Sequence, residues 1–314
     1  MAVLILSDST DLTTCQVIDW LRVLGHDFVR MGISELHTKC QLTIDFTGKS
    51  VLYHKGQRIG SIWFRRNDDD ASVLRTIKSN IIRKLARRKI EETRTVNSIL
   101  DYGDIFWLSH PRSESINKLR VIQRANALHI RIPPTIVTNT KRDLISFIAQ
   151  HDIVISKAVS ENLSITDIGS RQLYRQAVVL LDSNNTQSIP NKFHSSMFQK
   201  FIHKQYDVRI FFLDGKIYSM AIFSHSHDYR EAYSSNRNVP YTLPNEEQNK
   251  VAILMRDLGL NIGCIDMIMG TDGQLYLLEV NPNGQFGDMS LDCNYHLERE
   301  VADWLIKKDL AYER

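Results

Sequence analysis

The stretch from residue 264 to residue 287 constrains the fold most, because it combines a strand–turn–strand pattern with an unusual set of polar residues. Asp272-Gly273 lies between two apolar runs, and this dipeptide is a strong hairpin signal since glycine adopts positive φ at little cost. A two-residue turn here predicts that Thr271 faces Gln274, which fixes every pair farther from the turn. The stretch therefore predicts an antiparallel hairpin of defined register.

Three polar side chains fall at defined places in this hairpin. The register puts Asp266 directly opposite Glu279, and Asn281 follows two residues later on the same face. Two facing carboxylates repel each other unless a cation lies between them. Carboxylate and amide oxygens suit Mg2+, which completes its shell with phosphate oxygens. We therefore expect a magnesium–nucleotide site, against the alternative of an acid exposed at a strand end; a three-residue loop would turn Asp266 to the other face.

Composition places this hairpin in an ordinary globular protein. The 314 residues are enough for two or three domains with a large core. No apolar run approaches the ~20 residues of a membrane span, and the N-terminus lacks the basic region of a signal peptide. The 4 cysteines have no CxxC spacing, which argues against a zinc site or disulfides and favours a reducing cytoplasm.

The N-terminal part has the pattern of an α/β fold. Residues 3–6 form an apolar run typical of a strand buried on both faces, and Val17, Ile18 and Leu21 then recur at helical spacing. Because no glycine-rich loop separates this strand from this helix, a dinucleotide site is not indicated. Further strands are predicted at 28–31, 41–46, 50–54, 59–65 and 105–108.

A basic segment follows these strands. Residues 71–100 have a helical pattern with Leu74, Ile77, Ile81 and Leu85 on one stripe. The other face is dense in cations: Arg75, Lys78, Arg83, Lys84, Arg87, Arg88, Lys89 and Arg94. This face is either a solvated surface or a docking surface for an acidic peptide or nucleic acid. The absence of interleaved aromatic residues argues against single-stranded nucleic acid.

The remaining pattern predicts two α+β units. Residues 113–128 and 141–150 are predicted helices, and 135–138 and 152–158 are predicted strands of a central unit. A second hairpin is predicted across Asp214-Gly215, followed by a polar loop at 224–244 that is typical of a lid or binding loop. Helices are predicted at 246–258 and 297–306. We expect an N-terminal α/β domain at 1–110, a central subdomain at 111–192 and a C-terminal subdomain at 193–314.

The order of polar residues along the chain is specific. Lys157 ends an apolar strand, the sequence Gln-Lys-Phe-Ile follows at 199–202, and Asp207 and Arg209 precede the hairpin with its two acids. This order and spacing resemble the ATP-grasp ligases, whose nucleotide lies between two α+β subdomains. The resemblance covers residues 117–287. It implies an ATP-grasp fold of mixed α/β and α+β class, with a Rossmann-like N-terminal domain.

The resemblance also implies roles for these residues, with ATP and two Mg2+ as cofactors. Lys118 and Lys157 would bind phosphates, and Gln199, Lys200, Phe201 and Ile202 would form the hinge that holds adenine. Arg209 would act on the γ-phosphate and on an acyl phosphate, and the metal ligands would be Asp266, Glu279 and Asn281. Asp207 would contact ribose, or simply pair with Arg209 or a lysine. Lys118 has the alternative of being a surface lysine, whereas Lys157 on an apolar strand requires a partner anion.

A narrower resemblance rests on three motifs. Val-Asn-Pro-Asn-Gly-Gln-Phe at 280–286, Leu-Ile-Leu-Ser at 4–7 and Trp-Phe-Arg-Arg at 63–66 are similar to those of graspetide synthetases, the microviridin-type ATP-grasp macrocyclases. Their activity implies a ligase that forms ADP and phosphorylates Asp or Glu side chains of a ribosomal precursor peptide. Ser, Thr or Lys side chains of the same peptide then attack, which gives esters or amides.

The predicted polar loop also matches that family. Asp228, Arg230 and Arg237 lie in stretches that resemble the family's loop over the active site. The resemblance implies that the two arginines hold the substrate carboxylate or phosphate, and that Asp228 orients an arginine or deprotonates the attacking hydroxyl. The alternative is a solvated loop whose charges pair with one another. The implied partner is a peptide with a leader and an acidic, Thr-rich core, and the implied assembly is a homodimer.

Two other functions stay open. The chain could be a RimK-like ligase that adds amino acids to a protein or a small carboxylate, or a module that binds nucleotide or peptide without catalysis. The second is disfavoured because every metal and phosphate position of the motif is filled.

Overall fold

The computed structural model describes residues 1–43, 45, 51–65, 77–99, 105–113, 116–159, 164–167, 172–175, 179–224 and 235–311. Its strands are β1 (Ala2–Leu6), β2 (Phe28–Met31), β3 (Gln41–Thr43), β4 (Val51–His54), β5 (Gln57–Phe64), β6 (Phe106–Ser109), β7 (Thr135–Thr140), β8 (Val154–Lys157), β9 (Ser164–Asp167), β10 (Gln172–Arg175), β11 (Val179–Leu181), β12 (Lys192–Lys200), β13 (Lys204–Leu213), β14 (Lys216–Phe223), β15 (Arg237–Tyr241), β16 (Ile262–Gly270) and β17 (Leu275–Asn281). Its helices are α1 (Leu12–Val23), α2 (Leu36–Lys39), α3 (Asn80–Ile99), α4 (Lys118–Ala127), α5 (Lys141–His151), α6 (Asn245–Asp257), α7 (Gly287–Asp292) and α8 (Leu297–Ala311). No helix among these residues is long and apolar enough to cross a membrane.

The N-terminal sheet has the predicted β-α-β start. Its strand order is β2-β1-β5-β4-β3, with β6 also pairing with β5. β1 is parallel to both of its neighbours, and all five of its residues are buried, as the apolar run predicts. Asp11 caps α1 by accepting a hydrogen bond from the Thr14 backbone, so the helix begins directly after the β1 loop.

The basic helix differs from its prediction. α3 begins at Asn80, residues 77–79 are not helical, and Leu74 lies outside the described residues. The predicted apolar stripe does not face inward, because Ile81 and Leu85 are 74% and 64% exposed. Helical periodicity thus predicted the helix, but it did not show what the apolar stripe packs against.

The central sheet has four strands, all from residues 135–200. Its strand order is β11-β8-β12-β7, and each pairing is antiparallel. α5 packs on one face through Leu144, Phe147 and Ile148, which cluster with Phe198. β12 belongs to this sheet, and the predicted 192/193 boundary falls at its first residue. The three-part domain division itself stays a prediction.

The C-terminal sheet has the order β15-β14-β13-β16-β17 and is covered on both faces. Val208, Ile210 and Phe212 pack against α4 and α6 on one face. The alternate residues Phe211 and Leu213 pack against β1, α1 and α8 on the other face, so this sheet and the N-terminal domain share one core.

Two further predictions need correction. The helix predicted at 113–128 starts only at Lys118, with Asn117 as its N-cap, because the Asn117 side chain accepts from two backbone amides of the first turn. The loop predicted at 224–244 contains an edge strand, β15, which pairs with β14 although it carries Pro240. Proline is tolerated on an edge strand, where no further strand needs its missing N–H.

The opening hairpin forms, but its turn is not the predicted two-residue turn. Gly273 has the expected positive φ of 73°, whereas the loop spans Thr271 to Gly273, with Gly270 hydrogen-bonded to Gln274. This is the three-residue loop that would turn Asp266 to the wrong face. A bulge at Leu278 inserts one extra residue into β17 and restores the register, so that Asp266 does lie opposite Glu279.

The C-terminal helix is fastened to the N-terminal sheet by a buried acid. Asp309 is fully buried, and its carboxylate accepts from the Gly60 backbone at 2.8 Å and contacts His26 Nε2 at 2.8 Å. A Cβ at position 60 would lie 2.7 Å from Asp309 Oδ1, so the close approach requires glycine.

We expect Asp309→Ala to lower the free energy of unfolding by about 3–5 kcal/mol, because it leaves buried polar partners without their acceptor. Urea denaturation measures this change. The matched control is Asp303→Ala on the same helix, whose carboxylate is 51% exposed and which should change stability by less than ~1 kcal/mol. Equal midpoints for the two variants would contradict the assignment.

Candidate functional site

A row of charged side chains crosses the C-terminal sheet. Arg209 on β13 lies opposite Asp266 on β16, which in turn lies opposite Glu279 on β17. Arg209 Nη1 donates to Asp266 Oδ1 at 2.6 Å, and Lys118 Nζ lies 4.0 Å from Glu279 Oε2. The two acids are therefore flanked by cations of the protein itself, which lowers their mutual repulsion. This arrangement brings together four of the predicted site residues.

The oxygen atoms at this row have the chemistry that Mg2+ requires. Asp266 and Glu279 supply carboxylates, and the side chain of Asn281 supplies an amide oxygen on the same strand as Glu279. Among the described residues, no three His, Cys, Asp or Glu side chains lie together as a site for a metal ion, so Mg2+ would need Asn281 and phosphate oxygens in its shell. Asn281 Oδ1 also accepts from the Asn283 backbone at 3.0 Å, so this side chain stabilises the following turn as well. The donor set fits Mg2+, and the ligand roles stay predictions.

The structure shows a partner for Asp207, whereas the sequence left several partners possible. Its Oδ2 atom lies 2.5 Å from Lys204 Nζ, so Asp207 pairs with a lysine, and the ribose contact stays a prediction. Residues three apart normally point to opposite faces of a strand. The register of β13 shifts between Lys204 and Tyr206, and this irregularity turns Lys204 to the face of Asp207. Lys204 was missed because only the bulge brings it there.

The predicted hinge lies between the two sheets. Gln199 is at the end of β12, and Phe201 and Ile202 follow in the non-helical connection to β13. The Phe201 backbone donates to Ile153 O at 2.9 Å, and the Thr271 backbone donates to His203 O at 2.8 Å. These bonds attach the connection to the central sheet on one side and to the opening hairpin on the other.

Gln199 has an incomplete set of hydrogen bonds. Its side chain is 1% exposed, and Nε2 donates to Thr135 Oγ1 at 3.0 Å, whereas Oε1 has no partner. A buried acceptor without a donor costs about 1–3 kcal/mol, so this atom fits a donor group supplied by a ligand. Lys157 points to the same face of the central sheet, because its strand pairs with β12 at Met197, two residues before Gln199.

Of the predicted substrate-loop residues, Arg237 lies within the described part of the chain. Asp228 and Arg230 lie outside the described residues. Arg237 is the first residue of β15, pairs with Phe223 and is exposed. Two strands, β14 and β13, separate it from the strand of Asp266, so its side chain does not join the charged row. Its proposed role with the substrate stays a prediction.

The cysteine next to the charged row is buried. Cys264 lies on β16 opposite Asn281 and is buried, and burial raises the pKa of its thiol. A protonated, buried thiol is a weak nucleophile. Gln285 is a further partner in this region, because its backbone carbonyl accepts from Arg209 Nη2 at 2.7 Å. Sequence reasoning gave Gln285 no role.

The chain is similar to known proteins in both sequence and fold. The sequence pattern of the RimK-like ATP-grasp domain matches residues 115–305. No curated protein matches the chain.

Several solved structures share the fold over nearly the whole chain. A RiPP-associated ATP-grasp ligase of Chryseobacterium gregarium, solved with ADP and a leader and core peptide, has a TM-score of 0.79 at 21% identity and covers 98% of this chain and 97% of its own. The macrocyclase MdnC of Microcystis aeruginosa, bound with its precursor peptide MdnA, has 0.78 at 21% identity over 98% and 100%. The ATP-grasp ligase PsnB, with minimal precursor, Mg and ADP, has 0.78 at 18% identity over 98% and 97%.

Proposed function

The chain belongs to the RimK-like ATP-grasp family, and from this premise we propose that it is an ATP-dependent macrocyclase of a ribosomally made precursor peptide. The charged row of Arg209, Asp266 and Glu279 beside the hinge carries the proposal, because it combines a fixed cation with oxygen ligands for Mg2+. The fold similarity to precursor-binding ligases includes the N-terminal half, which supports a peptide as substrate.

The reaction follows from the low reactivity of a carboxylate toward an alcohol. The carboxylate oxygen of an Asp or Glu side chain of the peptide attacks the γ-phosphorus of ATP, the bond from that phosphorus to the β-phosphate oxygen breaks, and ADP leaves as the acyl phosphate forms. Bound Mg2+ would neutralise the phosphate charge. A Ser or Thr hydroxyl, or a Lys amine, then attacks the carbonyl carbon, and phosphate leaves while the nucleophile gives up its proton. The protein needs no covalent nucleophile, and its contribution is alignment and charge stabilisation.

Arg209 is the residue best placed to stabilise this charge. Its guanidinium is fixed by Asp266 on one side and by the Gln285 carbonyl on the other, and its side chain is only 13% exposed. A cation that is already oriented needs little reorganisation when negative charge develops. Lys118 and Lys157 act as point charges for the phosphates, and Arg230 and Arg237 bind the substrate's acidic group.

The nucleotide sites are divided between the two sheets. Adenine is held at the hinge by Gln199, Lys200, Phe201 and Ile202. The buried Oε1 atom of Gln199 supports this role, because it needs a hydrogen-bond donor. Asp266, Glu279 and Asn281 hold two Mg2+. Asp207 contacts ribose through an orientation set by Lys204.

The direct test is incubation with a precursor peptide that has a leader and an acidic, Thr-rich core, together with ATP and Mg2+. We expect the peptide to lose one water mass per crosslink, as measured by mass spectrometry, and to stay unchanged when EDTA removes Mg2+. Fragmentation should lack cleavage inside the closed ring. An unmodified peptide in the presence of ATP and Mg2+ would contradict the proposal.

Amino-acid addition is the second candidate, because the family match is to the RimK-like domain. The same assay separates the two functions when free amino acids are included. Gains of amino-acid residue masses would support addition and would contradict macrocyclisation.

A further inference from the structure

Arg65 is a buried cation that the proposed reaction does not use. It follows β5 directly, is 1% exposed, and its guanidinium carbon lies 5.9 Å from the Trp63 ring and 5.8 Å from the Phe286 ring. Its Nε atom lies 3.7 Å from Asp11 Oδ2. Burial of a charge is costly unless the charge is paired and hydrogen-bonded, so this position has a specific structural demand.

The donors of Arg65 are directed at the segment that follows the opening hairpin. Nη1 and Nη2 donate to Gly284 O at 3.1 and 3.2 Å, and Nη2 also donates to Gln285 Oε1 at 3.0 Å. Thr13 Oγ1 donates to the same Gln285 oxygen at 2.6 Å. Two residues of the N-terminal half therefore hold this segment from one side.

The segment is also held from the C-terminal sheet. A Cβ at Gly284 would lie 2.4 Å from the Cβ of Cys264, so the backbone is packed directly on β16. The next carbonyl, that of Gln285, is the one that accepts from Arg209 Nη2. Arg65 and Arg209 thus bind two neighbouring carbonyls, those of Gly284 and Gln285, in a segment that is held from both sides.

We propose that Arg65 is a positioning residue, which fixes the Gln285 carbonyl and through it the guanidinium of Arg209 at the phosphoryl-acceptor site. The inference rests on the proposed role of Arg209. The N-terminal domain then has a function in the reaction, because it supplies the Arg65 guanidinium. This group sets the orientation of Arg209 on the C-terminal sheet. Arginine is required since a lysine ammonium cannot donate in the fixed planar geometry to both oxygens.

The test uses Arg65→Lys, which keeps the charge, and Gln285→Ala, which keeps the backbone carbonyl but removes Oε1. We expect Arg65→Lys to lower kcat by about 10–100-fold, the usual effect of losing an outer partner of a functional group. The KM for ATP should change by less than about twofold, because the hinge lies on other strands. Gln285→Ala should lower kcat less, and the double variant should be non-additive, since the two side chains share a hydrogen bond.

A readout independent of turnover is amide hydrogen exchange. We expect faster exchange at residues 282–287 in Arg65→Lys and unchanged exchange at the hinge, residues 199–203. Arg22→Lys, at a 65% exposed site, is the control and should match the wild type in both measurements.

The outcomes distinguish a failure of the inference about Arg65 from a failure of the proposed function. If Arg65→Lys lowers the melting temperature but leaves kcat of the folded enzyme unchanged, Arg65 is only structural and the inference is overturned. Unchanged exchange at 282–287 overturns it as well. If the wild type itself modifies no peptide, the proposed function fails, whereas the exchange measurement still decides whether Arg65 fixes the Arg209 segment.

Discussion

Replacing Glu279 by glutamine is expected to slow crosslinking of the precursor peptide by at least about 100-fold. The substitution keeps the size and the hydrogen-bonding oxygen but removes the negative charge that a divalent cation needs. The side chain is 34% exposed, and Lys118, whose Nζ lies 4.0 Å from Glu279 Oε2, is also partly exposed, so the fold should change little. Product formation followed by mass spectrometry, at increasing Mg2+, measures the effect.

Glu246→Gln is the matched control for this substitution. Glu246 lies on α6, is 78% exposed and pairs with Lys250, which keeps a second partner in Glu247. Its loss should alter the rate by less than about twofold. Undiminished activity of Glu279→Gln, with the same Mg2+ requirement as the wild type, would refute the metal assignment.

Arg209→Lys is expected to lower kcat by about 10²–10³-fold, because a lysine retains the charge but loses the planar fork. The arginine contacts Asp266 Oδ1 and Gln285 O with two different nitrogens, and a single ammonium cannot occupy both positions. The KM for ATP should rise less than the kcat falls, since adenine binds at the hinge. Steady-state rates at varied ATP and varied peptide give the two constants.

Arg142→Lys provides the comparison for Arg209. Arg142 is 89% exposed on α5, and its pair with Asp143 is a surface contact. We expect wild-type rates for this variant. A kcat for Arg209→Lys within about threefold of the wild type would show that another group stabilises the developing charge.

The nature of the site could be predicted from residue types. Asp266, Glu279 and Asn281 are oxygen ligands in a strand pattern, and such a set points to Mg2+ regardless of the details of the turn. The predicted opposition of Asp266 and Glu279 is confirmed, although the reasoning for it was wrong in its first step. The loop has three residues, and the bulge at Leu278 compensates for it. The extra residue in the loop and the extra residue at the bulge each shift the register by one, and the two shifts cancel.

The contacts that sequence reasoning missed have no local signal. Lys204 reaches Asp207 only because β13 is irregular between them. Arg65 and Gln285 meet although 220 positions separate them in the chain. The exposed Ile81 and Leu85 show the reverse case, in which an apolar stripe was visible but the structure provides no cover for it among the described residues. Long-range contacts depend on how the sheets and helices pack, and periodicity does not encode that packing.

The sequence by itself determined the strand and helix types, the hairpins and the chemical character of the site. These depend on local properties: positive φ at glycine, alternation of apolar residues and the hardness of oxygen ligands. Only the tertiary structure decided the bulge that aligns Asp266 with Glu279, and the two contacts that hold Arg209. The physical reason is that a bulge and a buried cation are stable only where neighbouring strands satisfy their backbone and charge, so their position is set by the packed fold.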